Sequence, residues 1–242
     1  RPLRQAIEAD SRPQGHPQPV VVLGGFLSVP SIYAGVAQEI ERVSGQRVFI
    51  VQARAHHWLT TVTAAGWALV IRKLDEAARE AVKTSATGKV TVIGHSSGGV
   101  MARLYLGAKP YSGHIFNGLQ WVDTLVTLGS PHYNHRGGRL RNRVNAMYPD
   151  AFFAPQVKYV SVAGKSAQGK RDGASAERRI YGVYKRLCGN GSAWGDGFVP
   201  LESALLKGSE QVVLDGAHHF GLKGKLWYGS PSLVDEWWRV VG

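Results

Sequence analysis

The sequence predicts an α/β protein with a mainly parallel central sheet and helices on both of its faces. Three observations carry this prediction. Short apolar, β-branched runs alternate with stretches of helical period. Strands separated by helices pair in parallel, because the crossover brings the chain back in the same direction. The chain's 242 residues are 44% hydrophobic, which suffices for a core and fits one α/β domain in length.

The elements follow in order. Residues 1–18 read as an extended arm, since four of the nine positions in SRPQGHPQP (11–19) are proline or glycine. The domain itself is expected over 19–242. VVVL (20–23) is a short buried strand that stops at Gly24-Gly25. Residues 31–43 place apolar side chains at 32, 36, 40 and 43, one helix face, and stop at Gly45. VFIVQ (48–52) is the next strand, and 67–82 is a helix with acidic and basic residues interleaved on its outer side. KVTVIG (89–94) is a buried strand, followed by a helix over 97–107. Strands at 124–129 and 157–164, a helix at 199–206, a strand at 210–216 and a closing helix at 232–241 complete the alternation. The stretches 131–156 and 165–195 read as short irregular, cap-like excursions.

Composition narrows the function. Cys188 is the single cysteine, so there is no internal disulfide, no cysteine-based zinc site and no redox pair. No run approaches the ~18 apolar residues of a membrane-spanning helix. The first residues lack the apolar core of a secretory signal, although a chain that starts without Met is compatible with a processed precursor. The expected location is cytoplasmic, or the plastid if the source is a plant, with peripheral contact with a membrane at most. The net charge of +12 is unevenly spread: +5 over 1–132, +9 over 133–186 and −2 over 187–242. Basic residues confined to loop segments, with no recognisable module, argue against nucleic acid.

The chemistry is concentrated at VTVIGHSSGGVMARLYL (90–106). Here G-x-S-x-G fits Gly94-His95-Ser96-Ser97-Gly98, a tight turn between strand and helix that exposes the serine. Small residues are needed two before and two after the serine. Choosing Ser97 would put His95 in a position too narrow for it, so Ser96 is the nucleophile. The helix that follows offers the Ser97 amide to an oxygen bound beside Ser96. A serine nucleophile needs a base, and the base needs an acid to fix its tautomer. In chains built this way the acid and then the histidine follow the serine. Only His218 and His219 follow the last strand, and His219 is preferred because three residues precede it to turn out of the strand. Asp196, flanked by glycines in WGDGFVP, is the preferred acid, with Asp123 and Asp150 as alternatives. The second oxyanion donor is expected from the backbone after Gly24-Gly25, at Phe26 or else Leu27.

Taken together, VVLGGFLS, VIGHSSGGVMARLYL, VTLGSPH, GDGFVP, LDGAHHF and WYGSP resemble the α/β-hydrolase superfamily. Within it, the likeness is to lipase-like proteins of plants and cyanobacteria, akin to bacterial triacylglycerol lipases and GPI-inositol-deacylase-like hydrolases. It covers roughly residues 19–241. The resemblance implies Ser96 as nucleophile, Asp196 as acid, His219 as base, and the Phe26 and Ser97 amides as oxyanion donors. The chain departs from the common lipase pattern at Gly24, where many lipases carry histidine.

The expected activity is carboxylic-ester hydrolysis through an acyl-enzyme, without a cofactor. An acyltransferase on the same residues and a non-catalytic lipid-binding protein are the other readings. Leu27, His95, Tyr133, Trp194 and Phe198 are expected to contact the substrate, a small or lipid ester. The basic segments 134–143 and 169–179 are expected to attract an anionic membrane surface. His132 and His135 form H-x-x-H without an acidic or cysteine partner, so no metal site is expected.

Overall fold

The computed structural model describes residues 18–242. The predicted arm therefore lies, apart from Gln18, outside the described residues. The strands are β1 (Val20–Leu23), β2 (Val48–Ile50), β3 (Val90–His95), β4 (Val122–Leu128), β5 (Lys158–Lys165), β6 (Ala167–Gln168), β7 (Trp194–Gly195) and β8 (Glu210–Asp215). The helices are α1 (Ala34–Ser44), α2 (Ala55–Leu59), α3 (Ala64–Val82), α4 (Ser97–Leu106), α5 (Arg139–Met147), α6 (Ser175–Cys188), α7 (Leu201–Ala204) and α8 (Pro231–Val241). Six strands form the central sheet in the order β2-β1-β3-β4-β5-β8, every pair parallel. β6 and β7 pair antiparallel as a separate ribbon.

The inner strands β1, β3, β4 and β5 are buried on both sides, their successive residues facing opposite layers, while the edge strands β2 and β8 are more exposed. Val21 and Leu23 of β1 pack with α3 and α4, whereas Val20 and Val22 pack with α1 and α8. Register then sets the site. Leu23 lies opposite Gly94, and His95 opposite Leu128, so β1, β3 and β4 end together. The turns after Leu23, His95 and Leu128 share that carboxyl edge, where ligands of parallel sheets bind.

The two excursions carry more helix than the sequence suggested. In α6, Ile180, Tyr184 and Leu187 follow helical spacing, with Tyr184 and Leu187 buried. Basic residues and Gly182 obscure that stripe in the sequence. In α5 the stripe is Leu140, Val144 and Met147, of which only Val144 is fully buried. The helix expected over 199–206 is shortened to α7, because Pro200 stands at its N-cap and Leu205 is already extended. Arg103 of α4 is buried and donates to Asn145 Oδ1, the Tyr148 and Asp150 carbonyls and His132 Nδ1, fastening the 131–150 excursion to the sheet layer.

Candidate active site

Ser96 joins β3 to α4 with φ 54° and ψ −126°. A residue with a side chain pays about 1–3 kcal/mol to be held there, and persists only where its surroundings over-determine it. They do so here. β3 is buried along its whole length and α4 beyond Ser97, and the Ser96 amide donates to the Leu128 carbonyl at 2.9 Å. The glycines explain how the turn fits. A Cβ on Gly94 would collide with the backbone of Gly99, and one on Gly98 with the carbonyls of Gly24 and Leu23.

The turn presents Ser96 Oγ 3.0 Å from His219 Nε2. The other ring nitrogen, Nδ1, is 2.7 Å from Asp196 Oδ2. Asp196 is buried, and burial opposes its ionisation. The His219 ring and the Val199 and Phe198 amides outweigh that and hold the carboxyl below its usual range. Its Oδ1 accepts from Val199 N at 2.7 Å and Phe198 N at 2.9 Å, and its Oδ2 also accepts from the Tyr228 hydroxyl at 2.7 Å. An ionised carboxylate only accepts, so Nδ1 carries the imidazole proton. Nε2 is left as a lone pair facing the serine hydroxyl. The His219 amide donates to the Asp196 carbonyl at 3.0 Å, which ties the two loops together a second time.

The turn after β1 packs directly against the serine. Gly25 packs so closely that a Cβ on it would stand 2.8 Å from Ser96 Cβ. Ser28 N closes the turn onto Gly25 O at 3.1 Å, with Leu27 held at φ 59°. The space a side chain on Gly24 would need is filled by Ser28 and the Tyr33 ring, which accounts for glycine at that position.

Of the expected substrate contacts, Phe198 stacks on His219 with ring centroids 5.4 Å apart and is 53% exposed, and Leu27 is also half-exposed beside the turn. Two others need correction. His95 is only 2% exposed and lies beneath the site, so it offers substrate no surface. Tyr133 packs its ring on the α3–α4 core layer, and its hydroxyl donates to Asp150. Trp194, on β7, lies under Lys165 and faces a surface pocket shared with Glu177 and Ile180. His218 bonds Ser166 rather than Ser96, and Asp123 pairs with Gln18 where β4 begins. Phe220, Tyr228 and Tyr33 were missed. Phe220 meets the His219 ring edge-on at 4.6 Å. Only the position of Phe220, directly after the histidine, was a signal in the sequence.

A six-strand parallel sheet flanked by helices, with a strained serine turn after its third strand, is the α/β-hydrolase fold. In backbone shape the chain is similar to the mature form of the Bacillus licheniformis lipase BlEst2, at TM-score 0.58 and 18% identity over 95% of each chain. It is similar to the lin2722 gene product of Listeria innocua at TM-score 0.53 and 15% identity, over 91% of this chain and 92% of that one. It is also similar to Est1E from Butyrivibrio proteoclasticus at TM-score 0.51 and 11% identity, over 96% of this chain and 90% of that one. Residues 68–165, which run from within α3 to the end of β5 and include the Ser96 turn, match the family model of the PGAP1-like alpha/beta domain. No curated protein matches the chain.

Proposed function

We propose that the protein is a serine carboxylic-ester hydrolase of esterase or lipase type, working through an acyl-enzyme on Ser96. The observation that carries this reading is the unbroken hydrogen-bonded series Ser96–His219–Asp196 at the sheet's carboxyl edge. Ser96 Oγ attacks the ester carbonyl while His219 Nε2 takes its proton. Asp196 stabilises the imidazolium that forms. The Phe26 and Ser97 amides bind the oxyanion, a contribution of about 10²–10³ in kcat per donor in comparable sites. His219 then protonates the leaving alcohol, and water, activated by the same nitrogen, releases the acid. None of these steps calls on a cofactor.

Phe26, Leu27, Phe198 and Phe220 are exposed around the serine, a surface suited to an acyl chain. The stretches 131–156 and 165–195 act as the cap beside it. A fluorophosphonate probe should label the parent and leave Ser96→Ala unlabelled. A p-nitrophenyl ester series should be turned over by the parent, with activity falling by at least about 10³-fold in Ser96→Ala. Unchanged turnover in that variant would sink the assignment, and an unlabelled parent would favour a lipid-binding role. A maximum at short chains defines an esterase, and one at long chains a lipase.

No helix among the described residues is long and apolar enough to cross a membrane. We propose instead a peripheral, electrostatic contact with anionic lipid. His135, Arg136, Lys185 and Arg186 surround a surface pocket of about 440 Å³. No carboxylate pairs with Arg136, Arg139, Arg143, Arg179, Lys185 or Arg186 among the described residues. Near a membrane each basic residue contributes about 1 kcal/mol, screened within a Debye length. The protein should sediment with vesicles containing phosphatidylglycerol and be released by salt. Equal retention on neutral phosphatidylcholine vesicles would refute the electrostatic contact.

A further inference from the structure

We propose that His95 is a positioning residue that, through Tyr33, sets the oxyanion arm and the His219 loop at a fixed distance from each other. The ring lies one residue before Ser96, at the end of β3. Its Nε2 is 3.1 Å from the His219 main-chain oxygen. A carbonyl can only accept, so Nε2 carries the proton and Nδ1 is a lone pair. Tyr33 Oη stands 2.8 Å from that Nδ1 and therefore donates to it. The same hydroxyl accepts the Gly25 amide at 2.8 Å. One directed series results: Gly25 N–H to Tyr33, Tyr33 O–H to His95 Nδ1, His95 Nε2–H to the His219 carbonyl. One end is the backbone that presents the Phe26 amide, and the other is the backbone of the base. The Gly25 amide is used up in this series, which leaves the Phe26 amide as the next donor along the chain.

The surroundings keep this arrangement in one state. The rings of Tyr33, His219, Phe220, Trp227 and Tyr228 pack around the His95 imidazole at centroid distances of 4.8 to 6.4 Å. The titratable groups that face it are His219, Asp196, Tyr33 and Tyr228. Burial, and then the neighbouring His219, push its pKa down to about 3, against a weaker opposing pull from Asp196. A protonated ring would turn Nδ1 into a donor and leave the Tyr33 hydrogen without an acceptor. Neutrality and direction of the series are thus one property.

The kinetic consequence rests on the serine-hydrolase reading above. Misplacing reacting groups by about 1 Å can cost up to about 10²-fold in rate. Tyr33→Phe, which deletes only the central hydroxyl, should lower kcat about 10- to 100-fold with KM within twofold. His95→Ala should do at least as much. His95→Gln, whose amide can still donate to the His219 carbonyl, should recover part of the loss. Because the groups act as one unit, Tyr33→Phe added to His95→Ala should cost little more than His95→Ala alone. Near-UV circular dichroism and melting above the assay temperature establish that each variant is folded. Folded variants with kcat within twofold of the parent, or losses that multiply, overturn the proposal. A parent that the fluorophosphonate probe does not label defeats the hydrolase reading. The network is then decided by imidazole ¹⁵N spectra. His95 should remain a neutral Nε2–H tautomer from pH 8 to about 5, and Tyr33→Phe should move the Phe26 amide and His219 resonances together. A ring that titrates in the ordinary histidine range, or His219 resonances unmoved by Tyr33→Phe, would refute it.

Discussion

Asp196→Asn should lower kcat roughly 10⁴-fold, the loss seen when a triad carboxylate becomes an amide, while KM changes little. The direction follows from which way the new amide must point. Asp196 Oδ1 accepts two backbone amides, from Val199 and Phe198, so an asparagine there keeps its oxygen on that side. Its NH₂ then takes the place of Oδ2, facing His219 Nδ1 and Tyr228. A donor at that position turns Nδ1 into an acceptor and moves the imidazole proton to Nε2. Ser96 then faces an N–H instead of a lone pair, and the base is lost without any change in shape. Fluorophosphonate labelling should slow in parallel with ester turnover. An Asp196→Asn variant within tenfold of the parent would mean that the aspartate does not set the tautomer.

Much of this arrangement was legible because it is local. The β-branched run ending at Gly94, the serine and the apolar helix after it are contiguous, and their backbone geometry follows from glycine spacing alone. Asp196 and His219 were reached through chain order and flanking glycines, which are weaker signals but still sequential. The network behind them was not legible. Tyr33 read as one residue of an amphipathic helix, and the short turn that aims its hydroxyl at His95 has no sequence signature. His95 read as a substrate contact because it adjoins the serine. Alternation along β3 instead turns it inward beneath the site. Tyr133 read as a substrate contact for its aromatic character, which says nothing about the layer a ring will join. The α5 and α6 stripes were hidden because one face of each helix is crowded with arginine and lysine, lowering the apolar contrast on which periodicity depends.

Arg103→Met is expected to be the most destabilising of the substitutions considered, at about 3–5 kcal/mol. Two effects oppose each other. Burial disfavours the guanidinium, lowering its pKa from the ordinary value, and methionine removes that cost while filling similar volume. However, the guanidinium serves Asn145 Oδ1 at 3.0 Å, Tyr148 O at 2.8 Å, Asp150 O at 3.2 Å and His132 Nδ1 at 3.3 Å. Each buried acceptor left without a donor costs about 1–3 kcal/mol, and the fully buried Tyr148 carbonyl and His132 Nδ1, with the half-buried Asn145 and Asp150 oxygens adding less, outweigh the relief. For a chain of this size the melting temperature should drop by about 6–20 °C. The damage should centre on α5, seen as new proteolysis near Arg139–Arg143, while turnover per folded molecule persists because no triad residue touches Arg103. Lysine at this position, a point charge without the planar fork, should recover only part of the loss. The same melts carry a pH signature. His132 is held neutral by burial and by the Arg103 charge, and His95 is depressed to about 3. Below the ordinary histidine value the unfolded chain binds protons that the folded chain refuses. Their contribution is therefore complete above about pH 6.5 and is lost as pH falls, by up to about 1.4 kcal/mol per pH unit for each ring. A parent that melts at one temperature from pH 7 to about 4.5 would contradict both burials, and an Arg103→Met that melts within about 2 °C of the parent would show that the excursion does not depend on this arginine.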